Sequence, residues 1–570
     1  MKGSKCFGSF FALVLLIASF AFAEKKLHRS PNDSNSQDHS NSQETFQKAM
    51  KLASTLPNEY SKALKTGKTI VRLLEECSSA PNESCLVELG NIYFYSKYKV
   101  PADASKAVSL YQRAVKLFGN AEALRMLAIA NEYALGIGQQ TAPNIPLALA
   151  YYAIAAYAKD HIALSILAYK YANGLNVVKN TALAAHLYKQ AALHVVNAHK
   201  QGIPARTWLK LRLPEPTDYE NSMYKKNDAL TFYSYNAERG DVNSQVLLGK
   251  IFYHGSDGFI QNESTAFHYF KMAADQGNET AKGYIGLAYA KGEVTPQNIP
   301  LALSLCTEAA KHGIAPAFHC LGMLHERGEA SPTVSTPDFE AAIKCYVKGS
   351  EKDFAESHYR LGMLLIEYVP SFSIPKSIQY LILAARHGHI LAIWELALLS
   401  LKNSTEESTS KALFHFRSAL ERGPIGALAY DSYHAYYCKN KAYAFVGSLI
   451  AASAGYDSAC VNAAFLAEEA KQWDLAMVLW NRAANLASYP AAFVRVGDLF
   501  YFARSSSHTP DYRTAMRYYS AASLLSLVLN SLLPTVLPPS SPSLRFTASN
   551  SQSPSLSLYG DSIAVGCVGC

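Results

Sequence analysis

One phrase returns at nearly constant spacing between Asn243 and Ala427, and it constrains the fold more than any other feature of the chain. Its members read QVLLGKIFYHG, GYIGLAYAKG and FHCLGMLHERG, each followed by a second stretch that ends in a glycine turn such as AADQGNETA. The glycines inside the phrase are Gly249, Gly286, Gly322 and Gly362, at steps of 37, 36 and 40 residues. Turn glycines Gly277, Gly313, Gly388, Gly423 and Gly455 keep phase with them, and Asp353 takes the glycine place once. A period of this length marks a helical repeat array, in which each helix pair buries its apolar side only against its neighbours. The expected fold is all-α, an α-solenoid of about eleven helix pairs. Such arrays usually present a curved surface to other proteins, which argues against an enzyme.

The residue types at the repeated positions follow from packing. A glycine inside the first helix lets a neighbouring helix approach closely, and the packing gained must offset a helix cost of about 1 kcal/mol relative to alanine. The pairs Ala273-Ala274, Ala309-Ala310 and Ala384-Ala385 are expected to serve that contact from the second helix. The turn glycine after each pair sits where helices end in the left-handed conformation.

Composition bears on compartment. Met1 to Ala23 reads as a secretory signal peptide: Lys2 and Lys5, an apolar run from Phe10 to Phe22, and a small-residue site at Ala21-Phe22-Ala23. Glycan acceptor sequences follow at Asn32, Asn82, Asn262, Asn278 and Asn403, with the last four the expected sites in a glycosylating lumen. The net charge of +8 over 570 residues is mild and scattered, so no nucleic-acid partner is expected. Ten cysteines do not make a disulfide framework. Cys77 and Cys85 flank a turn at a spacing that suits a bridge or two separate thiols equally well. Cys306 and Cys320 flank another turn, as a pair or as small buried residues on adjacent helices; Cys345, Cys438 and Cys460 read as core fillers.

The chain divides accordingly: signal peptide 1–23, a disordered polar segment 24–44, N-terminal helices and first repeats 45–195, an interrupting loop 196–226, the regular array 227–525, and a disordered Pro- and Ser-rich tail 526–570. Ala521 to Leu537 is partly apolar but holds Ser, Asn and a central Pro, so no membrane span is expected there. No residue is assigned a catalytic, cofactor-binding or metal-binding role. His325-Glu326 lacks the second histidine of a zinc-protease helix, and Gly136-Ile-Gly138 is a helix-end turn. His161, His186, His268 and His319 occur singly and read as helix-face histidines, while Glu75-Glu76 and Glu468-Glu469 read as solvated faces. Cys567-Val-Gly-Cys570 has glycine where a prenylation terminus needs an aliphatic residue. Arg206 and Trp208 in the interruption are the candidate exposed binding residues.

The pattern LGxxYxxG, then KAxxxYxxAAxxG, resembles the Sel-like repeat, a relative of the tetratricopeptide repeat. The interruption KLRLPEPTDYEN and the phrases HYFKMAADQGNETAKGYIG, ARHGHILAIWELA, NAAFLAEE and LWNRAANLASYPAAFVRVGDLFYF are similar, in order and spacing, to one subfamily. That subfamily is the lumenal adaptor of the Hrd-type RING ubiquitin ligase of endoplasmic-reticulum-associated degradation. The resemblance implies a non-enzymatic adaptor in the endoplasmic reticulum lumen, without cofactor. Its implied partners are misfolded glycoprotein clients, a lectin and a RING ubiquitin ligase complex. Members of that subfamily continue with further repeats and a membrane helix, whereas this array gives way to SLVLNSLLPTVLPPSSPS. The alternative is a secreted repeat protein with an unrelated extracellular partner. Secreted relatives linked to cell-wall chemistry carry a cysteine pair in nearly every repeat, and only Cys77 and Cys85 have that spacing here.

Overall fold

The computed structural model describes residues 36–532, apart from 56–59, 80–81, 138–141, 204–211, 214–229, 256–260, 331–335, 369–373, 403–404, 488 and 505–508. All regular structure among them is helical. The N-terminal helices are α1 (Ser36–Ser54), α2 (Tyr60–Ser79), α3 (Glu83–Tyr95), α4 (Ala104–Phe118), α5 (Ala121–Glu132), α6 (Ile145–Tyr157), α7 (His161–Asn173) and α8 (Thr181–Lys200). The middle block holds α9 (Val242–His254), α10 (Glu263–Asp275), α11 (Glu279–Lys291), α12 (Ile299–Lys311), α13 (Ala315–Arg327), α14 (Phe339–Glu351), α15 (Ala355–Tyr368) and α16 (Ile374–Arg386). The C-terminal block holds α17 (Ile390–Lys402), α18 (Glu406–Leu420), α19 (Pro424–Tyr437), α20 (Lys441–Ser453), α21 (Asp457–Glu469), α22 (Trp473–Ala487), α23 (Pro490–Tyr501) and α24 (Tyr512–Leu532). Consecutive helices pair, α1 with α2 and so on to α23 with α24.

Two devices recur among the pairs. An Asn, Asp or Thr side chain caps the second helix by accepting the backbone N–H three residues on, as Asn180, Asn262, Asn298, Asp338 and Thr405 do. The glycine of the first helix receives a large side chain from the second. A Cβ on Gly249 would stand 2.6 Å from the Phe270 ring, and one on Gly322 would stand 2.7 Å from the Tyr346 ring. Gly286 faces Cys306 and Gly362 faces Leu381 in the same way. The expected alanine partner is therefore corrected. Ala273, Ala309 and Ala384 are fully buried elsewhere in the pair, and it is a ring, a sulfur or a leucine that fills the glycine notch.

The array doubles back on itself. α8 packs against α17 and α18, and α3 against α20, so four middle repeats leave the N-terminal block and return to it. One continuous core runs through residues 49–196 and 390–499, while the middle block keeps cores of its own. The junction is polar as well as apolar. The Tyr133 and Ser453 hydroxyls are 2.7 Å apart, Arg482 donates to Tyr133 at 3.3 Å, and Asn440 donates to the Ser96 carbonyl. Beside them Lys170 and Glu132 form an ion pair whose side chains are only 2% and 4% exposed. A Cβ on Gly423 would stand 2.6 Å from Val195, and one on Gly455 would stand 2.5 Å from Tyr169. These two glycines admit the N-terminal block.

Several expectations are adjusted. Helix α1 begins at Ser36, inside the segment expected to be disordered, and Ser42 is buried where Asn82 donates to its hydroxyl at 3.2 Å. Helix α8 extends five residues into the interruption, and helical structure resumes at residue 230. Within the interruption Leu213 is buried among Tyr433, Ala444 and Leu466, and its N–H donates to Asn462 at 2.7 Å. The Arg212 guanidinium lies over the Tyr489 ring at 4.4 Å. Helix α24 runs to Leu532, past the expected tail boundary. Gly277, Gly313, Gly388 and Gly455 are left-handed, as is Asp353, but Gly423 has φ −108° and begins a helix instead. No described helix is long and apolar enough to cross a membrane. The expected signal peptide and most of the expected tail lie outside the described residues, as do Arg206, Trp208 and Asn403.

Candidate protein-binding surface

The turn back from the middle block leaves a cleft between the end of α8, the start of α10 and the end of α11. His199, Lys200, Gln261, Asn262, Glu263, Lys291 and Glu293 line it, around a volume of about 610 Å³. Burial raises the Glu263 carboxyl; Lys291 opposes that shift, while Glu293 and Glu356 reinforce it. Next to the cleft, Phe270 stacks on Tyr284 at 4.2 Å and Tyr253 meets Tyr284 edge-on at 5.0 Å. These rings and Glu263 and Lys291 bound a recess of about 20 Å³, room for about one water.

Successive first helices converge on one carboxylate beside this recess. Glu356, in the first turn of α15, accepts from the Tyr253 hydroxyl at 3.4 Å, and its second oxygen is shut off from solvent without a hydrogen-bond partner. Burial raises this carboxyl, but His319, His254, His389 and Lys291 outweigh it and leave the group below its ordinary value. The histidines are themselves held neutral. Burial pushes His319 down to about 3 and His389 to about 4, and lowers His254 and His199 in the same direction. Phe270 and Tyr284 are themselves buried, so what a partner can reach is the polar lining of the cleft, Lys200, Gln261, Asn262, Glu263, Lys291 and Glu293, with the rings as its support.

The arrangement does not make a catalytic centre among the described residues. Ser357 lies 3.3 Å from His319 Nδ1, but both are buried, so a substrate has no access to the pair. His161 stacks on His194 at 4.2 Å, His186 meets Gln190 at 2.9 Å, and His268 is exposed. His325 stands half-buried beside Glu326, which accepts from Tyr346 at 2.8 Å and pairs with Arg360. Glu75 accepts from Lys106, Glu76 from Arg72, Glu468 from Trp480 and Glu469 from Lys441. These acidic pairs tie helices together as well as meeting solvent.

The glycan acceptors divide by position. Asn262 is exposed and Asn278 half-exposed; each caps a helix through its Oδ1, which leaves Nδ2 as the atom to carry a sugar. Asn82 is 7% exposed, caps α3 with Oδ1 and uses Nδ2 on Ser42. A sugar there would have to displace α1. Cys77 pairs with Cys85, at a Cα separation of 6.1 Å, and Cys306 pairs with Cys320 at 6.4 Å. Cys460 is buried, whereas Cys345 and Cys438 are half-buried.

The chain is similar to several known proteins. The chain is 28% identical over 219 residues to protein sel-1 homolog 2 of Homo sapiens, covering 38% of this chain and 30% of that protein. It is 33% identical over 172 residues to the Rattus norvegicus protein of the same name, covering 30% and 24%. The similarity therefore spans less than a third of these relatives' length. Chitin synthase regulatory factor 1 of Schizosaccharomyces pombe is 27% identical over 174 residues, covering 27% of this chain and 38% of that one. Among solved structures, a protective antigen of uropathogenic Escherichia coli superposes with a TM-score of 0.24 at 18% identity, covering 82% of this chain and 91% of that one. The Sel1 repeat matches residues 84–117, 121–160, 161–194, 242–278, 281–314, 321–354, 355–389, 390–424 and 492–527, more than half of the chain, which belongs to the Sel1 repeat family.

Proposed function

We propose that this Sel1-repeat protein is a non-enzymatic adaptor of the endoplasmic reticulum lumen that holds misfolded glycoproteins at a membrane RING ubiquitin ligase, with a lectin as co-receptor. The observation that carries the binding role is the polar cleft of about 610 Å³ where the middle repeats turn back towards α8; Gln261, Asn262, Glu263, Lys291 and Glu293 form its inner wall. The ligase assignment rests on the order and spacing of the phrases around the interruption. Of that interruption, Arg212 and Leu213 are anchored on the C-terminal block. The lumenal setting rests on the leader-like sequence of residues 1–23 and on Asn262 and Asn278, whose side-chain nitrogens are accessible. The tagged chain is purified from microsomes in mild detergent and its companions are identified by mass spectrometry. Recovery of a RING ligase subunit is expected. A secreted chain with no ligase subunit would instead fit a binder of an extracellular partner.

A further inference from the structure

Where Gly277, Gly313 and Gly388 stand in the neighbouring turns, the turn between α14 and α15 has Asp353, left-handed at φ 60° as Lys159 is between α6 and α7. Its carboxylate is the centre of a cluster. Asp353 Oδ1 lies 3.0 Å from His358 Nε2, in α15, and 2.9 Å from His387 Nε2, in the turn after α16; both histidines belong to the repeat that follows the one Asp353 ends. One ligand atom from each of the three residues lies within 4.8 Å of the others.

We propose that Asp353, His358 and His387 bind a Zn²⁺ ion that bridges two consecutive repeats. Two imidazoles and one carboxylate suit zinc better than calcium or magnesium, which take oxygen ligands. Tetrahedral bonds of about 2.0–2.1 Å set ligand atoms roughly 3.3 Å apart, so the two separations from Asp353 need to open by only about 0.4 Å, and the two imidazole nitrogens, within 4.8 Å of each other, need only a small adjustment. The support around the ligands is also that of a metal site. The His358 side chain is 3% exposed, and its other ring nitrogen, Nδ1, lies 2.7 Å from Ser350 Oγ. With Nδ1 protonated and donating to that hydroxyl, Nε2 presents its lone pair towards Asp353, a position that a cation satisfies. His387 and Asp353 are 40% and 67% exposed, so the ion enters from solvent and keeps water in its open position. Asp353 and His358 flank the first turn of α15, which carries Glu356. An ion there fixes the turn that aims Glu356 at the inner wall.

The full chain, stripped with a chelator, is titrated with Zn²⁺ by calorimetry, with thermal melts recorded with and without the ion. Asp353→Gly restores the residue that the other turns use, so it removes a ligand without adding strain; His387→Gln removes an exposed one. The unaltered chain is expected to bind one equivalent and melt higher with zinc. Each substitution is expected to weaken binding by roughly tenfold or more and to abolish the rise in melting temperature. No zinc binding by the unaltered chain, or binding by either variant as tight as that of the unaltered chain, overturns the assignment.

Discussion

Gly286 and Cys306 meet back to face: a Cβ built on the glycine would stand 2.5 Å from the cysteine sulfur, and Cys306 is itself paired with Cys320. Relief would have to come from the α11–α12 contact and the sulfur together. Gly286→Val is expected to destabilise the chain by about 1–3 kcal/mol through overpacking, while Lys271→Arg on an exposed face stays near neutral. Circular dichroism melts compare them, and equal, negligible effects would contradict the notch assignment.

The junction between the N- and C-terminal blocks contains a buried charge that cannot be orphaned cheaply. Lys170→Met leaves the Glu132 carboxylate in the core with Tyr152 as a direct partner, and removing one member of such a pair costs about 3–5 kcal/mol. The double variant Lys170→Met/Glu132→Leu removes both charges and is expected to be less destabilised than the single one. Urea unfolding of both measures this, and a double variant worse than the single one would refute it.

A buried neutral histidine makes stability depend on acid. In the unfolded chain His319 takes a proton near its ordinary value of about 6.5, while in the folded chain burial defers that to about 3. Its contribution is therefore complete above about pH 6.5 and is lost progressively as the pH falls towards 3. One such histidine changes stability by roughly 1.4 kcal/mol per pH unit inside that window. His319→Gln is expected to flatten the acid limb of stability measured between pH 6.5 and 4.5, and an unchanged slope would show that His319 titrates normally when folded.

Glycan occupancy should follow side-chain geometry. Expressed in a eukaryotic secretory system, the chain is expected to lose residues 1–23 and carry glycans at Asn262 and Asn278, with Asn82 unmodified in the folded product. Peptide mapping with endoglycosidase treatment measures this. An intact N-terminus with no glycan would contradict the lumenal reading, and full occupancy at Asn82 would mean that α1 does not pack as described.

The repeats were legible because their constraint is local. Gly249, Gly286, Gly322 and Gly362 each answer to a side chain on the next helix, some twenty residues on, so the pattern recurs in phase. The partner filling the notch was harder to read, because Phe270, Cys306, Tyr346 and Leu381 share a position and neither size nor chemistry. The doubling back was not legible. Tyr133 and Ser453 are 320 residues apart in sequence, and no periodic pattern links them. Gly423 and Gly455 look like ordinary turn glycines, and only the structure shows Val195 and Tyr169 against them. The convergence on Glu356 was equally hidden, since His254, His319 and His389 occur singly and meet only when first helices stack. Asp353 was visible as a break in the glycine pattern, but His387 comes to it from another repeat.

The inner wall as the surface that holds the chain in a ligase complex is the central claim, and one paired purification tests it most directly. The unaltered chain and a Lys291→Glu variant, matched for folding by circular dichroism, are recovered from microsomes in mild detergent and compared by quantitative mass spectrometry. Lys291 lines the cleft and faces both Glu356 and Glu263, so reversing its charge alters the wall without opening an apolar core. The account expects a membrane RING ubiquitin ligase subunit and glycoprotein clients with the unaltered chain, and a client yield at least several-fold lower with the variant. Equal client recovery by both chains, or no ligase subunit with either, would contradict it.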